Sequence, residues 1–127
     1  MKDYAAPESG DAPHLVRSYG GGRIVVMNNE WREPLLVWAR GMAPWRVGSA
    51  AEVAPENLGA VLALVPPPEL LVLGCGRRGI ALPPDRRAIL KSRGLAVEVV
   101  DTGAACRLYN MLVAESRRVV AALVPTN

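Results

Sequence analysis

The chain has 127 residues, half of them apolar, a net charge of +3, and only two cysteines and one histidine. This length and composition predict one globular domain with its own core, and no run of about 18 apolar residues is present to form a membrane-spanning helix. Cys75 and Cys106 lie far apart and fit no metal-ligand spacing, which excludes a disulfide scaffold and a structural zinc site. We therefore expect a cytoplasmic protein that uses no metal ion and no cofactor.

The first 13 residues carry Asp3, Glu8 and Asp11 and contain no apolar run, which is typical of neither a secretory signal nor a transit peptide. A segment of this kind buries too little apolar surface to order itself. We expect a disordered tail at 1–13 and a single α/β domain at 14–127.

The domain is predicted to open with short strands. Strands at 14–19 and 23–27 surround Gly20-Gly21-Gly22, whose glycines supply the positive φ that a tight reversal needs. A turn at 28–30 and a strand at 35–38 follow, so an antiparallel meander is expected.

A helix is predicted after a loop at 39–53. Proline at position 55 suits the first helical turn, and an apolar stripe recurs at helical spacing until three prolines, 66–68, end it. The stripe consists of Leu58, Val61, Leu62 and Val65.

The second half of the chain alternates aliphatic runs with helical patterns. Strands are expected at 70–73, 97–100 and 119–124, and helices at 83–93 and 102–115. This alternation is typical of a sheet whose faces are covered by helices. The predicted fold class is α/β: a single domain with a mixed β-sheet, antiparallel in the N-terminal meander and parallel in the C-terminal strands, flanked by about three helices.

Positive charge is concentrated between positions 77 and 93, where six basic residues and one acid give a net charge of +5. Such a segment can attract an acidic protein, an anionic ligand or a lipid surface, or can be a solvated helix face. Nucleic acid is disfavoured as a partner, because five of the six aromatic residues lie at or before Trp45, away from this segment.

Two loops follow predicted parallel strands, the place where α/β sheets bind ligands. They are Gly74-Cys75-Gly76-Arg77-Arg78-Gly79 and Asp101-Thr102-Gly103-Ala104. On neighbouring strands they would share one edge of the sheet and could bring Cys75 near Cys106. The first loop has a G-x-G but no helix directly after it, so a tight turn is favoured over a dinucleotide cradle.

The helix that follows Asp101 carries an unusual polar cluster. Thr102 is expected to be its N-cap, leaving an open first turn whose amides, together with Arg107, could hold an anion. In the competing interpretation the Asp101 carboxylate occupies that position. Asn110 is expected to share one side of the helix with Arg107, either solvated or bonded to a loop or a ligand, while Tyr109 is expected in the core.

The sequence offers few groups of residues that could form a catalytic site. His14 adjoins the predicted tail, which disfavours a nucleophile–histidine pair. Asp101 and Glu115 would lie about four helical turns apart, too far for a catalytic carboxylate pair. Cys106 near a helix start would suit a redox role if its pKa were lowered, although a small buried cysteine is the common case. No catalytic residue is predicted.

Three runs of sequence carry a family resemblance. They are Glu69-Leu-Leu-Val-Leu-Gly-Cys-Gly76, Val97-Glu-Val-Val-Asp-Thr-Gly-Ala-Ala-Cys-Arg-Leu-Tyr-Asn-Met-Leu-Val-Ala-Glu115 and Arg117-Arg-Val-Val-Ala-Ala-Leu123. In this order the runs resemble the mitochondrial complex I assembly factor 3 family and its prokaryotic relatives of unknown function, over positions 14–124. The resemblance implies an α/β domain without assigned catalytic activity. In the mitochondrial members it implies a role in assembling respiratory NADH dehydrogenase with a partner assembly protein.

The candidate binding residues are those of the two loops and the helix start: Gly74, Cys75, Gly76, Arg77, Asp101, Thr102, Cys106, Arg107 and Asn110. The leading hypothesis is a non-catalytic, prokaryotic protein-binding or assembly module. Its unknown protein partner would dock on these loops and the basic segment, in the cytoplasm or at the inner-membrane surface. The alternative is a small-molecule binder or enzyme with an anionic ligand at the Thr102 helix start.

Overall fold

The computed structural model describes residues 12–77 and 79–126. Most of the predicted tail, residues 1–11, lies outside the described residues, as does Arg78. The elements in chain order are β1 (Val16–Gly20), β2 (Arg23–Val26), β3 (Asn29–Trp31), β4 (Leu35–Trp38), β5 (Gly41–Pro44), α1 (Gly59–Leu62), β6 (Leu70–Gly74), α2 (Pro84–Ser92), β7 (Ala96–Val100), α3 (Thr102–Ala114) and β8 (Val119–Leu123). Single-turn 3-10 helices at Ala50–Glu52 and Pro55–Asn57 precede α1.

The strands form two sheets. A three-stranded antiparallel sheet has the order β1-β2-β3, and a five-stranded mixed sheet has the order β5-β4-β8-β6-β7. In the larger sheet β6 pairs in parallel with both β7 and β8, while β4 pairs antiparallel with β8 and β5. The predicted α/β class with antiparallel and parallel strands is confirmed, but the opening meander is a separate sheet.

Two apolar cores lie on the two faces of the five-stranded sheet, because side chains of a strand alternate between faces. One core combines Val72, Ala121 and Leu123 with the buried side of α3 and with β1 and β2. The other combines Leu71, Leu73 and Val120 with the 3-10 turns, α1 and α2. The small sheet and α3 therefore share one side of the large sheet.

The opening hairpin forms as predicted, and the following turn is tighter than predicted. Gly20 pairs with Arg23, so Gly21 and Gly22 make a two-residue turn with φ of 64° and 77°. Val26 pairs with Asn29, so the second turn is only Met27-Asn28. The predicted turn at 28–30 was wrong because the polar residues of β3 lie on an exposed edge strand, where no apolar alternation is required.

Strand β4, at 35–38, does not close the meander. It is an interior strand of the large sheet, where Leu35, Leu36 and Val37 are buried. This burial explains their continuous apolar run. Strand β5 lies in the predicted loop at 39–53. It was not predicted because it begins with Gly41 and ends with Pro44, residues that are typical of loops but are tolerated in an edge strand.

The first helix is shorter than predicted. Leu58 and Val61 are buried, but α1 ends at Leu62 and Val65 is 94% exposed. The three prolines that follow cannot donate the backbone hydrogen bonds of further helical turns. The helices and strands predicted after position 70 are each present within two residues of the predicted ends.

Candidate binding site

The start of α3 is capped by Asp101 rather than by Thr102. The Asp101 side chain accepts a hydrogen bond from the Ala104 amide at 2.9 Å, so its carboxylate occupies the place predicted for an anion. The first turn is also covered, because a Cβ built on Gly103 would lie 3.1 Å from the Tyr19 ring. The geometry supports the interpretation in which the Asp101 carboxylate itself occupies the anion position. An anionic ligand would therefore have to displace this carboxylate from the first turn of α3.

Thr102 is fully buried and connects strand ends. Its hydroxyl oxygen accepts a hydrogen bond from the Gly76 amide at 2.9 Å and donates one to the Val124 carbonyl at 2.7 Å. The backbone of Thr102 also donates to the Gly76 carbonyl at 2.9 Å. Thr102, which lies just after β7, therefore bonds to the residues that follow β6 and β8. Its hydroxyl is used within the fold and is not exposed at the surface.

Gly74 is required by close packing between β6 and α3. A Cβ at this position would lie 2.9 Å from Leu123 Cδ2, 3.0 Å from the Ala105 Cβ and 3.2 Å from the Thr102 Cα. Real Cβ atoms do not approach other carbons this closely without displacement of the neighbours. The G-x-G turn is thus a packing feature at its first glycine, and the turn interpretation agrees with the structure.

The polar residues of α3 form hydrogen bonds with residues in and just before β1. Asn110 Oδ1 accepts from the Val16 amide and Asn110 Nδ2 donates to the Val16 carbonyl, both at 2.9 Å. The Tyr109 hydroxyl donates to the His14 carbonyl at 2.6 Å, and the Arg107 guanidinium donates to the Tyr19 hydroxyl. Asn110 therefore pairs with β1 as a neighbouring strand would, and it is bonded within the fold rather than solvated.

The two cysteines lie on opposite faces of the large sheet. Cys106 belongs to the core that contains α3, whereas Cys75 packs against the other core and its thiol lies 3.1 Å from the Val100 carbonyl. Neither forms a disulfide. Burial raises the pKa of Cys106 from 9.0 to about 12, the reverse of the lowering that a reactive thiolate requires. The two loops do follow neighbouring strands, as the hypothesis required, but the two thiols pack in different cores, and Cys106 is a structural residue.

Part of the basic segment supports the fold. Arg86 donates to the Val53 carbonyl at 2.8 Å, and Arg87 donates to the Val97 carbonyl at 2.6 Å. Arg77 and Arg93 are exposed. The segment is therefore only partly available as a charged surface.

The nine candidate residues differ in exposure, and none of them lines the three surface grooves described below. Gly74, Thr102 and Cys106 are buried, Cys75, Gly76 and Asn110 are partly buried, and Arg77, Asp101 and Arg107 are exposed. Three surface grooves lie elsewhere, one of them between β4, the 63–69 loop and the end of α3. That groove was not predicted from the sequence, because Val65 was assigned to the buried stripe of the first helix, whereas it is exposed.

Within the described residues, no group of three or more histidine, cysteine, aspartate or glutamate side chains is placed to hold a metal ion. No helix in the same part of the chain is both long and apolar enough to cross a membrane.

The chain is similar in sequence to named assembly factors. It is 37% identical to NADH dehydrogenase (ubiquinone) 1 alpha subcomplex assembly factor 3 of Danio rerio over 111 residues, which is 87% of this chain and 64% of that protein. The Xenopus tropicalis protein of the same name is 34% identical over 111 residues, and the chain spans 61% of its length. The chain thus covers about three fifths of these relatives. An uncharacterized protein of Rhodobacter capsulatus is 33% identical and is covered to 83%.

Solved structures share the fold. A crystal structure from Bordetella parapertussis has a TM-score of 0.81 and 38% identity, covering 94% of this chain and 99% of that one. A solution structure from Bordetella pertussis, described as a Mth938-like domain, has a TM-score of 0.77 and 30% identity, covering 98% of this chain and 92% of that one. The family model described as "Protein of unknown function (DUF498/DUF598)" matches residues 16–124. The chain is therefore related to the complex I assembly factor 3 proteins and belongs to the DUF498/DUF598 family.

Proposed function

We propose that the protein is a non-catalytic binding module that helps to assemble a respiratory NADH dehydrogenase by holding another protein. Its relatives are named as assembly factors of that enzyme. The proposal includes a cytoplasmic location, with peripheral contact to the inner membrane, and a protein rather than a nucleic acid as partner.

The observation that carries this proposal is that the polar side chains of α3 form hydrogen bonds within the chain itself. The Tyr109 hydroxyl, the Asn110 amide and the Thr102 hydroxyl each bond to backbone groups of the same chain. The Cys106 thiol is buried and protonated at neutral pH. A general base or a nucleophile needs a free group of suitable pKa within reach of a substrate, and these groups are committed to the fold.

We propose that the remaining exposed candidates, Arg77, Asp101 and Arg107, form a charged docking surface. Asp101 and Arg107 lie about one and two-thirds turns apart at the start of α3, and Arg77 lies in the loop joined to Thr102 through Gly76. Exposed charges of both signs steer partners and set the register of a complex.

The test is affinity purification of the full chain from cells that produce it naturally, with quantitative mass spectrometry. We expect a reproducible set of NADH dehydrogenase subunits or assembly proteins that is lost in an Arg77→Glu, Arg107→Glu variant. The matched control is Arg32→Glu, Arg46→Glu, which makes the same charge change at exposed residues elsewhere. Equal recovery with both variants would refute this docking surface. Deletion of the protein should also lower the NADH dehydrogenase content of the membranes, and unchanged content would refute the assembly role.

A further inference from the structure

A groove of about 460 Å³ lies at the far end of α3 from Asp101. It is formed where β4 ends, where β8 begins, and where the 63–69 loop leads into β6. Because α3 has 13 residues, about 20 Å of helix separate this groove from the Arg77, Asp101 and Arg107 surface. The groove is therefore a second surface, independent of the proposed docking surface.

One side of the groove presents an unusually exposed aliphatic side chain. Val65 is 94% exposed, whereas the other exposed large apolar residues of the described chain range from 37% to 52%. The prolines that follow restrict the backbone at and after Val65. Trp38, Leu64 and Val113 contribute further apolar surface. Covering an exposed valine removes apolar surface from water, so this surface favours an apolar occupant.

The charged residues that line the groove are all basic. They are Arg40, Arg117 and Arg118, and no acidic residue is among the described lining residues. Arg118 is fixed in position, since its Nε donates to the Pro67 carbonyl at 2.9 Å and its guanidinium lies 3.8 Å from Glu69. Arg117 extends into solvent from the turn after α3. Guanidinium groups beside an apolar surface select carboxylates next to an apolar side chain.

We propose that this groove docks a segment of another protein in which acidic residues flank a bulky apolar side chain. The apolar side chain packs against Val65 and Trp38, and the carboxylates pair with Arg117. A peptide suits the site better than a lipid surface does, because the site is concave and a single fully exposed aliphatic side chain gives little insertion into a bilayer.

The probe is a random peptide library displayed on phage and selected against the full chain. Enriched peptides are synthesised with a fluorophore, and their dissociation constants are measured by fluorescence anisotropy. The groove variant is Val65→Ser, Arg117→Glu. The matched control is Ile89→Ser, Arg93→Glu, which changes an exposed apolar residue on α2 and the exposed arginine directly after it. Thermal melting of both variants verifies folding, and Arg117→Glu alone replaces the double variant if that one melts early.

We expect enriched peptides with acidic residues around a leucine, isoleucine or aromatic residue, and affinity at least about tenfold weaker for the groove variant than for the wild type and the control. Several results would overturn the proposal: no enrichment, peptides without acidic residues, or equal affinity for both variants. Loss of binding to phosphatidylglycerol vesicles rather than to peptides would assign the groove to a lipid surface. Loss of a wild-type dimer in sedimentation would assign it to a second copy of the chain.

Discussion

Asn110 takes the place of a strand neighbour for β1. Its amide group satisfies both the amide and the carbonyl of Val16, which would otherwise be unpaired on that side of β1. Asparagine is a poor residue for the middle of a helix, and these two hydrogen bonds offset its unfavourable helix propensity. The residue that was most conspicuous in the helix sequence therefore has a structural role.

Replacing Asn110 with alanine should destabilise the protein. The change removes two hydrogen bonds at 2.9 Å, partly offset by the better helix propensity of alanine, for a net loss of about 1–2 kcal/mol in the free energy of unfolding. Urea unfolding measures the loss. Met111→Ala, at the next and 52% exposed position, is the control and should cost less. Equal effects of the two substitutions would show that the Val16 hydrogen bonds contribute little.

Gly74→Ala should be destabilising by about 1–3 kcal/mol, because the added methyl group overlaps Leu123, Ala105 and Thr102. Gly59→Ala is the control. A Cβ at Gly59 meets nothing within 4 Å, and alanine restricts the unfolded chain, so this change should be neutral or slightly stabilising. Thermal unfolding of both variants measures the difference. A Gly74→Ala protein as stable as the wild type would refute the close approach of β6 and α3.

Helix α3 is the element that joins the two sheets. Its buried side, with Cys106 and Tyr109, packs in the core against the large sheet, and its polar groups hold β1 of the small sheet. One helix thus carries both the apolar side chains that pack on the large sheet and the polar side chains that bond to the chain around the small sheet. A helix with polar residues in these positions can organise a fold without binding a ligand.

The pH dependence of stability should report the burial of α3. The folded pKa of Cys106 is raised by burial from 9.0 to about 12, so above pH 9 the unfolded thiol releases its proton while the folded thiol keeps it. Stability from this group is complete below pH 9 and is lost as the pH rises toward 12. Burial raises the pKa of Tyr109 too, which adds to the loss above pH 10. Urea unfolding of Cys106→Ala should show a smaller decrease over this range than wild type, and identical decreases would contradict the burial.

The elements after position 70 were predictable because their signals are local. Aliphatic runs, Gly94 and the residues around Asp101 mark each boundary, and burial on both faces makes those runs continuous. The short edge strands β3 and β5 were not predictable, since their solvent-facing residues need no apolar pattern. The partners of Asn110 were hidden for another reason: they lie 94 residues away in the chain, and no spacing within α3 encodes them.

In the whole molecule, the two proposed binding surfaces lie at opposite ends of α3. Arg77, Asp101 and Arg107 lie near its start, and the groove with Val65 and Arg117 lies near its end. The buried part of the family motif lies between them and holds the two sheets together. A module with two separated surfaces can hold two proteins at once, which suits the proposed assembly role.

The structural role of α3 is tested most directly by residue-resolved amide hydrogen exchange. The variant to compare with the wild type is Asn110→Ala, Tyr109→Phe. Both changes remove hydrogen bonds from α3 to the chain around β1, at Val16 and His14. The amides of β1 and β2 should exchange about five- to thirtyfold faster than in the wild type, as a loss of 1–2 kcal/mol in local stability implies. Those of β6 and β8, in the large sheet, should change much less. Unchanged protection in β1 and β2 would show that α3 does not hold the small sheet, and its polar residues would then need another role.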